Sequence, residues 1–277
     1  MQVVSCHNGK LQSLVAAELK GRADRTFTTG LDALDHLAPS NGFARGTIHE
    51  LLFAPEHGEP RFFATVLARC AAGKARGSEA RRHEGTEARR EIQDATDSLS
   101  SPSCLRASVP SCLLPIIWSD PRGQLYPPAL AAMGVDLRQL YLLRTSTPAD
   151  ETWAVAECLR CKGVGAVVAA PAVLSRVEAR RLQLAAEIGG GVGLLLRPAG
   201  KRSMHYAATT RWLVAPAPGE RSVQRWRIQL LHGHGGRVGE TVFLECCRET
   251  HSVRATEQLS RQPAATTMAT GPKRATA

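Results

Sequence analysis

The sequence predicts an α/β fold: a single domain built on a mainly parallel sheet with helices on both faces, carrying a flexible insert and a C-terminal tail. Three observations lead there. Short apolar runs alternate with helix-length amphipathic segments between Thr47 and Val214, the pattern of parallel strands joined by crossover helices. Several runs are apolar almost throughout, such as Leu113–Trp118 and Gly165–Ala169, as strands buried on both faces are. Beyond them, Val223–Leu231 and Thr241–Glu245 flank the glycine-rich Gly233-His234-Gly235-Gly236, which reads as a late antiparallel hairpin.

In chain order, Asn8–Asp24 reads as a helix, with Leu11, Leu14, Val15 and Leu19 on one face and Glu18 and Lys20 outside it. Residues 1–25 would then form an N-terminal helical arm, packed on the core or on another protein. Thr28 or Thr29 is expected to cap a short helix from near Leu31, with Asp32 at its positive end. Ala38-Pro39-Ser40-Asn41-Gly42 should end that helix. Thr47–Phe53 reads as a strand and Phe62–Ala72 as a helix. From about Gly73 to Ser111 large apolar residues are scarce, so residues 75–111 are expected to be a disordered insert that cannot offset its ordering entropy. The core would comprise residues 26–74 and 112–247. Its second part adds a helix over Leu125–Met133, broken near Pro127-Pro128, and a strand over Leu140–Leu143. A helix over Asp150–Cys161 with an acidic first turn follows, then a helix over Ser175–Ile188 and strands at Gly193–Arg197 and Arg211–Val214. From Arg248 onward Thr, Ala, Gln and charge predict a disordered tail, residues 248–277.

The most informative segment is Ala54-Pro55-Glu56-His57-Gly58-Glu59-Pro60-Arg61-Phe62, placed between strand and helix where a nucleotide-binding loop belongs. A working loop reads G-x-x-x-x-G-K-[ST]: its glycines let backbone N–H groups wrap the phosphates, the Lys neutralises them, and the hydroxyl holds Mg²⁺. Here Ala54 and Glu59 replace the glycines, Pro60 stands in the Lys slot and Arg61 in the hydroxyl slot. Pro60 also removes a backbone donor. The strand–loop–helix frame is kept and its chemistry is gone.

The surroundings of that loop carry a resemblance. Thr29-Gly30-Leu31-Asp32-Ala33-Leu34-Asp35 and Asn41-Gly42-Phe43-Ala44-Arg45-Gly46 lead into it; Met133-Gly134-Val135-Asp136 and the Glu151–Cys161 helix before Gly165-Ala166-Val167-Val168 follow it. In this order, from about Thr26 to Pro216, they resemble the RecA recombinase core. The family's Walker B strand ends in an Asp that holds Mg²⁺; the matching position is Ala169. Its catalytic Glu has Asp120 as a counterpart at best. A degenerate RecA-like chain with this outline resembles the ImuA family, accessory proteins of the bacterial translesion mutagenesis cassette that are related also to the cell-division inhibitor SulA. The resemblance implies a non-enzymatic factor of DNA-damage-induced translesion synthesis in the SOS response. It would need no cofactor and would bridge an ImuB-type Y-family-like protein and an error-prone C-family polymerase subunit, with RecA and DNA as further candidate partners. The rival readings are a RecA-like cell-division inhibitor of SulA type and a RecA-like ATP-dependent DNA recombinase, the latter disfavoured by Ala54, Glu59, Pro60 and Ala169.

Composition sets the outer limits. With 277 residues, 43% of them hydrophobic, the chain is long enough for a buried core. No stretch of membrane-spanning length is apolar throughout, and the N-terminus lacks the pattern of a signal peptide; a cytoplasmic protein is expected. Eight scattered cysteines fit reduced thiols better than a disulfide framework. The net charge of +10 favours nucleic acid or an acidic protein surface as partner, although much of it lies in the expected insert and tail. Aromatics at 5% leave little stacking surface for single strands.

No metal site is expected. Cys158-Leu159-Arg160-Cys161 lacks a second ligand pair, and His232-Gly233-His234 reads as a turn. Arg197, Lys201 and Arg202 lie where RecA carries a long DNA-gripping loop, here cut to a short turn, and are candidate phosphate contacts or simply a solvated turn. In Arg225-Trp226-Arg227-Ile228-Gln229-Leu230 the arginines alternate with apolar residues. This segment is either an edge strand offering Arg225, Trp226 and Arg227 to an acidic partner or a covered last strand.

Deleting Ala75–Pro110 and closing the gap with a short Gly/Ser linker is expected to leave the unfolding midpoint nearly unchanged, because closure entropy varies slowly with loop length. Thermal denaturation of both proteins measures this; a drop of many degrees would show that the segment packs on the core.

Overall fold

A computed structural model describes residues 2–7, 10–11, 26–73, 113–200 and 208–256. The strands are β1 Gln2–His7, β2 Lys10–Leu11, β3 Thr26–Phe27, β4 Phe43–Ala44, β5 Thr47–Phe53, β6 Ile116–Ser119, β7 Leu140–Arg144, β8 Ala166–Ala169, β9 Val192–Pro198, β10 Thr210–Ala217, β11 Val223–Gly233, β12 Thr241–Cys247 and β13 Val253–Thr256. The helices are α1 Asp32–Asp35, α2 Arg61–Ala72, α3 Pro127–Ala132, α4 Pro148–Arg160 and α5 Arg176–Gly189. Eleven strands form one sheet in the order β13-β12-β11-β10-β5-β9-β8-β6-β7-β1-β2. Neighbours from β10 to β1 run parallel; β10 to β13 pair antiparallel, so the expected α/β architecture and late hairpin are present.

Helices cover the two faces unequally. On one face α2 and α3 bury Phe63, Leu67 and Leu130 against a layer running from Leu140 in β7 to Leu244 in β12. On the other, α4 and α5 pack Val155, Leu159, Leu182 and Ala186 over Ile117, Val167, Leu195 and Ile48. The residues that start and stop these helices are local. Thr147 accepts from the Asp150 amide, and Ser175 forms a reciprocal capping box with Glu178. Among the described residues no helix is long and apolar enough to cross a membrane.

Several expectations need correction. Gln2–His7 is a strand beside β7, and Lys10–Leu11 pairs back on it, so the chain at Lys10 extends the sheet where a helix was expected; the rest of that segment, like the insert, lies outside the described residues. Pro127-Pro128 opens α3, because a proline in the first turn forfeits only an amide that the helix leaves unbonded. No threonine caps α1: Leu31 is its N-cap without a side-chain bond. Instead Asp35, at the helix end, folds back to accept from the Thr29 amide and hydroxyl and from the Gly30 amide. Burial pushes the Asp35 carboxyl up, against those hydrogen bonds. Order also continues past Arg248, since β13 pairs with β12.

β5 lies in the middle of the sheet, buried along its whole length, and carries three polar side chains, Thr47, His49 and Glu50. His49 is fully buried, with Nε2 donating to the Ala44 carbonyl at 2.9 Å and Nδ1 2.7 Å from the Thr210 hydroxyl. That hydroxyl accepts from Trp212 Nε1 at 2.7 Å, so its proton goes to Nδ1 and the ring is neutral. Burial lowers the His49 pKa to about 4.

The neutral ring contributes its full stability above the unfolded value near 6.5 and loses it as pH falls toward about 4. Stability should fall by about 2 kcal/mol between roughly pH 6.5 and 5 from this group alone. Denaturant titrations across that range measure the slope, and His49→Gln should flatten it.

Candidate functional site

From the C-terminal end of β6 the chain turns to β7 on one side, and from β8 it turns to β9 on the other. Crevices in open α/β sheets form at such reversals. A cleft of ≈ 220 Å³ opens there, lined by Glu59, Arg61, Ser119, Asp120, Thr145 and Glu151 among others. It is built from strand ends and from the loop between β5 and α2, which forms one wall through Glu59 and Arg61.

That loop is closed on itself. Pro55–His57 makes a single 3₁₀ turn, and Gly58 follows at φ 71°, ψ 175°, a conformation essentially restricted to glycine. Pro60 is the N-cap of α2 and has no amide to offer. The Arg61 amide donates to the Glu59 carbonyl at 2.8 Å, Arg61 Nε to the Glu59 carboxylate at 2.9 Å and Arg61 Nη1 to the Gln124 carbonyl at 3.0 Å. The N–H and cation at the helix entrance are thus spent on the protein's own oxygens, and Glu59 brings negative charge.

Three further lining groups are bonded within the protein. Ser119 Oγ donates to Glu151 at 2.6 Å. Asp120 accepts from the amides of Gln124 and Leu125, which makes it the brace of its own turn. Thr145 Oγ1 is a buried side-chain atom without a hydrogen-bond partner among the described residues. Ala169 is buried at the end of β8 among Ile117, Val167 and Leu195, and a methyl group can hold no metal. Among the described residues no group of three His, Cys, Asp or Glu side chains could hold a metal ion. Cys158 is buried and Cys161 donates to the Glu157 carbonyl; burial raises the Cys161 thiol.

The candidate cations separate from one another. Arg197 is buried and donates to Glu50 at 2.8 Å, while Arg211 holds the other Glu50 oxygen at 2.9 Å. Arg197 therefore ties β9 to β5 and is not a solvated phosphate contact. Lys201 and Arg202 lie outside the described residues. The edge-strand reading of Arg225–Leu230 is overturned: β11 pairs with β10 on one side and β12 on the other. Its alternation is as expected, with Ile228 and Leu230 in the core and Trp226 stacked on Phe62 at 4.0 Å between centroids. On the opposite face Arg227 is exposed, whereas Arg225 pairs with Glu245, which Arg254 also holds at 2.7 Å. Burial raises the Glu245 pKa, but the two guanidinium groups outweigh it and hold the carboxyl below its ordinary range.

Sequence reading missed Glu50 and Glu245. The available signal was a carboxylate inside each of two mostly apolar strand runs, Thr47–Phe53 and Thr241–Cys247, because a buried charge demands a partner.

No protein-family model matches the chain. It is 31% identical over 163 residues to Protein ImuA of Caulobacter vibrioides strain NA1000 / CB15N, covering 52% of this chain and 67% of that relative. Protein ImuA of strain ATCC 19089 / CIP 103742 / CB 15 of the same organism gives the same identity and coverage.

Arg197→Ala should act on stability. Leaving Glu50 with one of its two cations is expected to cost about 2–4 kcal/mol, read by chemical denaturation. Binding of single-stranded DNA per folded molecule, read by fluorescence anisotropy, should not change.

Proposed function

Because this chain belongs to the ImuA family, we propose that it is a non-enzymatic accessory factor of DNA-damage-induced translesion synthesis that brings polymerase-like proteins together. Family membership supports a role in the damage-induced mutagenesis cassette; it weighs against the cell-division inhibitor reading. The partners in this reading are an ImuB-type Y-family-like protein and an error-prone C-family polymerase subunit, with RecA and DNA as further candidates, in the cytoplasm.

The observation that carries the non-enzymatic part is the state of the β5–α2 loop. A phosphate cradle needs several backbone N–H groups converging on one point and a cation beside them. Here Pro60 has no N–H, the Arg61 amide is bonded to the Glu59 carbonyl, and the Arg61 guanidinium is bonded to Glu59 and Gln124. A triphosphate would meet the Glu59 carboxylate, and Ala169 offers no ligand to its Mg²⁺. A RecA-like frame without that chemistry retains surfaces, and surfaces suit a scaffold.

Isothermal titration of the protein with ATP and Mg²⁺ is expected to give no measurable binding. Each tenfold of affinity corresponds to about 1.4 kcal/mol, and the loop has lost several charged and backbone contacts at once. Micromolar, Mg²⁺-dependent binding would overturn the non-enzymatic reading.

A further inference from the structure

We propose that the outer face of α5 is a docking surface for an acidic amphipathic helix of another protein. The proposal rests on the scaffold reading above and names one surface that would serve it. Val177, Leu184 and Ile188 are 74%, 42% and 57% exposed, and at 100° per residue they fall within about 40° of one another around the helix. Val173, 76% exposed, precedes the helix by one turn. Scattered exposed apolar residues need no explanation, but three in line on one helix form a second stripe.

The helix already has an inward stripe. Ala179, Leu182, Ala185 and Ala186 are buried on the opposite side. A Cβ at Gly189 would lie 1.9 Å from the Leu159 carbonyl oxygen, so the close approach of α5 to α4 fixes which side faces the core. Rotation cannot bury the outer stripe. Its exposure is a property of the fold and leaves apolar area for a partner to cover.

Charge selects the occupant. Arg181 falls on the same line, between Val177 and Leu184, and Arg176 and Arg180 flank it, all exposed. Of the helix's two acidic side chains, Glu178 is held by the Ser175 cap and Glu187 is exposed, so the three arginines leave the face net positive. A second copy of this chain is a poor occupant. It would present the same net-positive face, three arginines against Glu178 and Glu187, and so offers poorer charge complementarity than an acidic helix does. A helix that sets apolar residues between Asp or Glu side chains satisfies both the stripe and its cationic rim.

The test uses the full chain and the two purified cassette proteins, the Y-family-like partner and the C-family polymerase subunit, with affinities from biolayer interferometry. Val177→Asp with Ile188→Asp, and separately Arg180→Glu with Arg181→Glu, are expected to weaken one of the two complexes about tenfold or more while circular dichroism and melting stay near wild type. Val177→Ser with Ile188→Ser gives the same readout should the aspartates impair folding. Unchanged affinity in folded variants overturns this surface and leaves the scaffold reading intact. Binding of neither partner by the wild-type chain overturns both. A dimer in sedimentation that these variants dissociate would also overturn the proposal, in favour of self-association.

Discussion

A histidine and a glutamate buried side by side in the central strand set the terms for the rest of the sheet. His49 and Glu50 point to opposite faces of β5 and neither is solvated. An unpaired buried carboxylate would be too costly to keep, so the strands on both sides of β5 must present cations at the matching register. Arg197 does so from β9 and Arg211 from β10. His49 makes a parallel demand on the other face, met by Thr210 and the Ala44 carbonyl. A slip of one residue in either neighbour would leave these groups without partners and reverse the faces of every side chain in the strand. Hydrophobic burial supplies the bulk of the stability, and these polar contacts fix which of several similar registers is the native one.

The same ion-pair device recurs at the antiparallel end, where Glu245 in β12 is held by Arg225 from β11 and Arg254 from β13. Both networks lie on the face that α4 and α5 cover only in part. Over the parallel strands that face is buried and alanine-rich under the helices; beyond β10 it is more polar, with Arg227 exposed. Much of the arginine that sequence reading would assign to partners is therefore spent inside the sheet.

What remains for partners is decided by elimination across the molecule. In the crevice at the sheet's reversal, the natural ligand site of such a fold, Ser119, Asp120 and Glu151 are bonded within the protein, Thr145 Oγ1 has no partner among the described residues, and the loop wall is braced by the Glu59–Arg61 pair. The outer face of α5 carries apolar side chains that the core cannot use. Such a face suits the scaffold role proposed for this chain in its family's mutagenesis cassette.

The sequence by itself determined much of the scaffold. β5 and α2 lie where the apolar run Thr47–Phe53 and the segment after Pro60 placed them, and the hairpin turns at Gly233–Gly236, because period, caps and glycine are local properties of the chain. It also determined that no lysine stands at Pro60 and no aspartate at Ala169, since neither side chain carries a charged atom in any conformation. Only the tertiary structure decided the roles of the charged residues. Arg197, Arg225 and Arg227 look alike in sequence; pairing across strands far apart in the chain buried the first, clamped the second on Glu245 and left the third exposed. Likewise β11 could not be told from an edge strand until β12 and β13 paired beyond it. The outward apolar stripe of α5 became visible only once packing had fixed which of its sides the core takes, because a helix's periodicity reports its faces but not which neighbour each one meets.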